Sequence, residues 1–395
     1  MPGSIPRSPL WPVWRWSRRH APPLPAETVK LADAAGRVLA DALAAPAHLP
    51  PFHRAAMDGY ALVLPIADEP LRVVGEVVPG RPPPRPVQPG EALRILTGAA
   101  IPPGAGAVVA QEQTRREGER LWLAQAPTPG QHIDRRGSDI ARGAALFARG
   151  RRLRVQDAAL LVRSGFTEIA VRRRPRVRLL ATGDEVVAPG GRLAPGQLPE
   201  ANVWMLAALA RRDGAGVVDQ RWLPDDPAAI LKAMAEPGAD VVVVTGGSGP
   251  GDRDFPPRLL AEHGELACHG LALQPAASTG VGLLNGIPVW LLPGNPVSCL
   301  CAYELLVGRM LRAMGGLPAA LPQRRRWWPL GEDLRSRLRV LAYWRVRVRD
   351  GRVWPVTAGA ASRYGSVVHS DGFVLVAPSR TVRRAGERVG VYLYD

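Results

Sequence analysis

Two side chains that often carry chemistry are scarce in this chain of 395 residues: lysine occurs only at Lys30 and Lys232, and cysteine only at Cys268, Cys299 and Cys301. The cysteines are odd in number and lack zinc-ligand spacing, so they imply neither a disulfide framework nor a structural metal. Long apolar runs are missing too. No stretch approaches the ~18 consecutive apolar residues of a membrane span. The opening MPGSIPRSPLWPVWRWSRRH has no apolar segment for a signal peptide, and Arg18-Arg19 lacks the hydrophobic stretch of a twin-arginine export signal. A cytoplasmic chain without a membrane partner is expected. With so little lysine, arginine carries nearly all of the +16 net charge, scattered along an Ala/Pro/Gly-rich sequence. Its densest groups, Arg172 to Arg174 and Arg324 to Arg326, fall where domains join. That distribution is a compositional habit and not a nucleic-acid-binding patch, so no nucleic-acid partner is expected, although the field attracts small anions.

The length calls for several domains, and the pattern is multidomain α/β plus β. Residues 1–21 are Pro/Trp/Arg-rich without periodicity and read as a flexible extension, or as a surface anchor through Trp11, Trp14 and Trp16. Thr28 to Ala45 has helical spacing, with Leu31, Ala34, Ala35, Val38 and Leu39 on one face. Val155 to Ser164 is a second helix that packs against it. Residues 22–45 and 137–174 then form a helical stalk. Residues 46–136, with short strands at Leu71 to Val74, Leu93 to Leu96, Val108 to Gln111 and Leu121 to Ala124, form an inserted β-rich domain. Residues 175–316 alternate strand, loop and helix as a mainly parallel sheet requires; Asn202 and Asp226 stand ready to cap helices, and Asn285-Gly286 signals a hairpin. Residues 317–395 turn to period two, with a further hairpin at Asp350-Gly351, and form a compact β domain.

Three units in the α/β segment share one design. Val177 to Leu180 opens into Ala181-Thr182-Gly183-Asp184-Glu185. Asp240 to Thr245, with four consecutive valines, opens into the glycine loop Gly246 to Asp254. Val289 to Leu292 opens into Pro293-Gly294-Asn295-Pro296-Val297-Ser298. Short β-branched runs of this kind are strands buried on both faces. The glycines allow positive φ and close approach to a ligand, with free amides that favour an anion, and Asp254 is placed to cap a helix from Phe255 to His263. In a doubly wound sheet these ends lie along one edge. Asp184, Glu185, Asp252 and Asp254 would share that cleft with a phosphate, which makes sense when a hard cation such as Mg²⁺ lies between them.

These stretches, with Ala56-Met57-Asp58-Gly59-Tyr60-Ala61, Thr97-Gly98 and Arg136-Gly137-Ser138-Asp139-Ile140, resemble the molybdopterin molybdenumtransferase (molybdenum insertase) family from about residue 25 to the end. The resemblance implies a molybdopterin-binding α/β domain, an inserted β domain on a helical stalk, a C-terminal β-barrel and a homodimer. It implies insertion of molybdenum from molybdate into adenylylated molybdopterin, with Mg²⁺ and release of AMP. Molybdopterin adenylyltransferase and molybdoenzyme maturation proteins become the implied partners. Carried onto this chain, Asp58, Glu185, Asp226 and Asp254 would hold metal or order the water and oxyanion, with Glu185 and Asp254 as metal ligands, and Thr97 would hydrogen-bond an oxo group. Thr182, Gly183, Asp184, Gly246, Gly247, Ser248, Gly249, Pro293, Gly294, Asn295 and Ser298 would bind the phosphates and pterin. Each acidic residue also has a plain reading: Asp58 as a turn former, Glu185 as a solvated carboxylate, Asp226 and Asp254 as helix caps.

Two departures from the family pattern stand out. The Lys-Pro-Gly-Lys-Pro type segment is replaced by Gln274-Pro275-Ala276-Ala277-Ser278, without its positive charge, and the serine of the glycine loop is displaced to Ser248. They keep two alternatives open: an adenylylating or tungstate-handling variant, or a non-catalytic pterin-binding paralogue.

Overall fold

The computed structural model describes residues 7–66, 70–249, 251, 253–356 and 363–394. Two compact units emerge, Thr28–Ala170 and the remainder of the chain on either side of it.

In the Thr28–Ala170 unit, Ala107–Ala110, Gly59–Leu62, Glu91–Ile95, Leu71–Val77, Arg120–Leu123 and Thr114–Glu117 form one six-stranded sheet in that order. All four expected strands are present. Alternation puts Ala61, Leu93, Ile95 and Val108 into one core and Tyr60, Leu62, Ala92 and Val109 into another.

The expected helix from Thr28 to Ala45 does not form. Strand Ala26–Lys30 is followed by a single 3₁₀ turn at Leu31–Asp33 and a two-residue strand at Leu43–Ala44. Four of the five predicted apolar positions, Leu31, Ala34, Val38 and Leu39, are buried, so the inward-facing residues are those expected although the conformation is not helical. Thr28 and Val29 favour extended backbone, and Gly36 at φ +79° interrupts any helix. The backbone amides of Leu31, Gly36, Leu39 and Ala40 donate instead to the carbonyls of Thr167, Leu153, Arg151 and Ala170. The helical stalk of residues 22–45 and 137–174 is thereby reduced to one nine-residue helix, Val155–Arg163, which packs on the Leu31 turn.

Residues 1–21 also differ from expectation. Within the described part, Leu10–Arg19 is a helix, α1, with Leu10, Val13 and Ser17 buried at i, i+3 and i+7 spacing. Leu10 and Val13 enter the same core as the sheet of the larger unit, Trp14 Nε1 donates to Leu305 O at 3.1 Å, and Trp16 meets Trp290 edge-on at 6.2 Å. Trp11 alone of these is largely exposed, at 56%.

The larger unit holds β1 (Arg176–Thr182), α2 (Asn202–Arg212), β2 (Gly216–Leu223), α3 (Pro227–Ala235), β3 (Val241–Thr245), α4 (Phe255–His263), β4 (Glu265–His269), β5 (Gly280–Leu284), β6 (Ile287–Leu292) and α5 (Pro296–Ala302). The sheet order is β2-β1-β3-β6-β5-β4. The first four strands are parallel, β5 runs antiparallel to β6 and β4 antiparallel to β5, so the sheet is mixed. Every residue of β3 is buried. Asn285 and Gly286 both have positive φ, as a tight hairpin between β5 and β6 requires. Helix α5 runs through a π-helical turn, Tyr303–Val307, into α6 (Gly308–Met314). There Asp213 sits fully buried, accepting from Tyr303 Oη at 3.0 Å and Arg312 at 2.7 Å.

Further strands are β7 (Arg325–Pro329), β8 (Leu341–Arg349), β9 (Arg352–Pro355), β10 (Gly372–Val376) and β11 (Arg388–Leu393). Leu273–Gln274 pairs with β8, followed by β10, β11 and β7, and β9 pairs with β8 through the expected turn at Asp350-Gly351. This sheet therefore begins on a segment of the α/β domain. No helix among the described residues is long and apolar enough to cross a membrane.

Candidate functional site

The registers of β1, β3 and β6 make their carboxyl ends coincide. Ala181 pairs with Thr245, and Thr245 with Leu292, so the three following loops leave the sheet at one rim. There they wall a cleft of about 500 Å³. The geometry at the rim needs glycine. Gly246 has φ +95°, and a Cβ at this position would lie 2.2 Å from the Thr182 carbonyl oxygen. At Gly183 a Cβ would lie 2.4 Å from Glu185 Oε2, so the Glu185 carboxylate folds over bare backbone.

The cleft gathers ten of the expected residues: Thr182, Glu185, Gly246, Gly247, Ser248, Gly249, Asp254, Pro293, Gly294 and Asn295. Gly183, Asp184, Asp226 and Ser298 do not line it. Asp226 is the N-cap of α3, accepting from Ala228 N–H at 3.0 Å. Asp184 accepts from Asp225 N–H at 3.0 Å. Burial, with the charges of Asp184 and Glu185, pushes the Asp225 carboxyl up. Ser298 is buried in the first turn of α5. Asp252 lies outside the described residues. Asp254 stands at the start of α4 without capping it; its Oδ2 accepts from Gly251 N–H at 2.8 Å and closes the glycine loop on itself.

Asp58 and Thr97 belong to the Thr28–Ala170 unit and meet each other there. Asp58 Oδ1 accepts from the Thr97 amide and hydroxyl, each at 2.7 Å. Those two hydrogen bonds, with help from Arg94, hold the Asp58 carboxyl below the usual carboxylate range.

Further lining residues with polar side chains, Glu200, Asn202, Thr245 and Ser278, are not among the expected site residues. Asn202, expected as a helix cap, points away from its own helix: Nδ2 donates to Thr245 Oγ1 at 3.0 Å and to Gly294 O at 2.8 Å, tying two rim loops together. Glu200 does the capping instead, accepting from the amides of Asn202 and Val203 at 2.7 and 3.0 Å. Burial pushes its carboxyl up against the pull of those amides. An acidic residue two positions before a helical run is the signal that could have revealed it. Asn202 Oδ1 and Thr182 Oγ1 are buried without a hydrogen-bond partner among the described residues.

The displaced Ser248 meets the segment that lacks lysine, Ser248 Oγ lying 3.1 Å from Ser278 Oγ. Ser248 O also accepts from His269 Nε2 at 2.8 Å. Among the described lining residues the charged ones are Glu185, Glu200 and Asp254, all acidic. No group of three metal-ligating side chains is assembled among the described residues.

Residues 14–165 match the family described as the MoeA N-terminal region, domains I and II, and residues 178–313 match a probable molybdopterin binding domain. Molybdopterin molybdenumtransferase 2 of Mycobacterium tuberculosis is 37% identical over 74% of this chain and 76% of its own length. The molybdopterin molybdenumtransferase of Synechococcus elongatus is 32% identical over 93% and 94%. Among solved structures, a molybdopterin biosynthesis MoeA protein from Pyrococcus horikoshii superposes with a TM-score of 0.84 at 29% identity, covering 98% of this chain and 99% of the other. The chain belongs to the molybdopterin molybdenumtransferase family.

Proposed function

We propose that this chain inserts molybdenum from molybdate into adenylylated molybdopterin, with release of AMP, as a step of molybdenum cofactor biosynthesis. The observation that carries the reading is the common rim, where the Gly246 to Gly249 loop, whose Gly247, Ser248 and Gly249 amides have no backbone partner among the described residues, lines one cleft with the carboxylates of Glu185 and Asp254. The amides receive anionic groups of the substrate, while the Asn202 tie keeps the Gly294 loop in register with Thr245.

Mg²⁺ fits this donor set. It is commonly held by one or two carboxylates, with substrate phosphates completing the shell, and Glu185 and Asp254 supply two hard oxygen donors in a cleft whose described walls carry no basic side chain. When bound, it would offset phosphate charge and polarise the bond to the AMP group. Asp58 and Thr97, joined by their own hydrogen bonds, serve the same reaction in this reading. A C-terminal β-barrel, a homodimeric assembly, handover from a molybdopterin adenylyltransferase and a cytoplasmic setting complete the proposal.

The test is reconstitution from purified protein, adenylylated molybdopterin, molybdate and Mg²⁺, scoring AMP release and cofactor formation. Asp254→Asn keeps an oxygen for the Gly251 amide but removes the charge. Turnover is expected to fall by roughly 100-fold or more with the fold intact; an unchanged rate removes Asp254 from its role. Pterin binding without AMP release would make the chain a non-catalytic binding paralogue.

A further inference from the structure

The β8–β9 hairpin has a face that the cleft does not use. Its register opposes Arg347 to Trp354 and Arg349 to Arg352, and directly opposed residues share a face. Val346 and Val353 point the other way and are fully buried. The outward face borders a cavity of about 540 Å³, whose far wall is the short helix Gly365–Val368 with His369. No lining residue is shared with the Glu185 cleft.

The chemistry of its walls is specific. Arg347 and Arg349 both line the cavity, and neither has a carboxylate partner among the described residues. Arg347 Nε donates to the His369 carbonyl, which holds that guanidinium against the wall. Trp354 offers an indole that is 38% exposed, and Asp350 adds one carboxylate at the turn. Planar guanidinium forks suit phosphate oxygens, an exposed indole suits a flat heterocycle, and a lone carboxylate accepts from sugar hydroxyls, as acidic residues do in dinucleotide sites. An inorganic oxyanion would use the arginines alone, leaving the indole idle and the carboxylate repulsive. The volume lies within the ~300–1,000 Å³ of small-molecule sites.

We propose that this cavity is a nucleotide site: it binds a nucleoside monophosphate, with the phosphate on Arg347 and Arg349, the base on Trp354 and the ribose hydroxyls on Asp350. The inference is independent of the reading of the Glu185 cleft.

The experiment is photolabelling of the full chain with 8-azido-AMP, followed by peptide mapping. Label is expected in the peptides spanning residues 344–369, with protection by excess AMP but not by equimolar adenosine or inorganic phosphate. Arg349→Ala, a change at an exposed position, should lower labelling of those peptides at least tenfold while leaving any label on the Gly246 loop unchanged. Label confined to cleft peptides, no label at all, or equal protection by phosphate or adenosine would each overturn the proposal. A cleft that fails to turn over molybdopterin would leave this result standing, so the two readings fail separately.

Discussion

Asn202 shows how much one side chain can decide. Its carboxamide bridges the end of β3 and the loop after β6, groups 43 and 92 residues away in the chain. Asn202→Ala leaves Thr245 Oγ1 and Gly294 O each without that donor, and at about 1 kcal/mol per lost hydrogen bond a loss near 2 kcal/mol is expected. Asn202→Asp should do no better, since a buried carboxylate cannot donate. Urea unfolding reads the stability, and a pterin titration should show weaker binding in both variants. At this scale the glycines were legible, because only glycine sits comfortably at φ +95° against a carbonyl. Asn202 was legible only as a polar residue at a helix start. The sequence could not show that Glu200, with a longer side chain, would reach back and take the cap.

Among the elements, α1 and the Leu31 turn teach opposite lessons. Leu10 and Val13 of α1 are nearly fully buried, at 6% and 2% exposure, and burial of each is worth about 1.5–3 kcal/mol. Deleting residues 1–21 should therefore cost the larger unit roughly 3–6 kcal/mol, seen as a lower denaturation midpoint; an unchanged midpoint would mean that the helix docks without contributing. The Leu31 to Leu39 stretch buried the expected residues in an unexpected conformation, because its hydrogen-bond partners lie more than 100 residues further on. Helix Val155–Arg163 carries its own test. Asp157 is buried at its first turn, and the guanidinium of Arg151, then that of Arg154, hold its carboxyl well below the usual range. A depressed folded pKa contributes stability above the unfolded value of about 3.9 and loses it as pH falls below that point. Urea midpoints of the Thr28–Ala170 unit should decline below about pH 4, and Asp157→Asn should lower the neutral-pH midpoint and flatten that decline.

For the molecule as a whole, the division at Thr28 and Ala170 implies separable folding. The smaller unit has a six-stranded sheet with a core on each face, so a fragment of residues 28–170 should fold alone and melt in one cooperative transition by calorimetry. A broad, uncooperative melt would show that the unit needs the rest of the chain. Some of the arginine serves the fold at this scale: Arg173, Arg178, Arg212 and Arg312 are tied into ion pairs with Asp240, Asp219, Glu304 and Asp213.

The sequence by itself determined the strand-and-glycine units, the hairpins and the family, because β-branched runs, positive-φ turns and close backbone approach each demand particular residue types within a few positions. Only the tertiary structure decided that Asp226 caps its helix without lining the cleft, that Asp254 closes its own loop and that Glu200 takes the cap expected of Asn202. Each of those outcomes depends on which polar groups, distant in the chain, arrive within hydrogen-bonding distance, and local spacing carries no record of that.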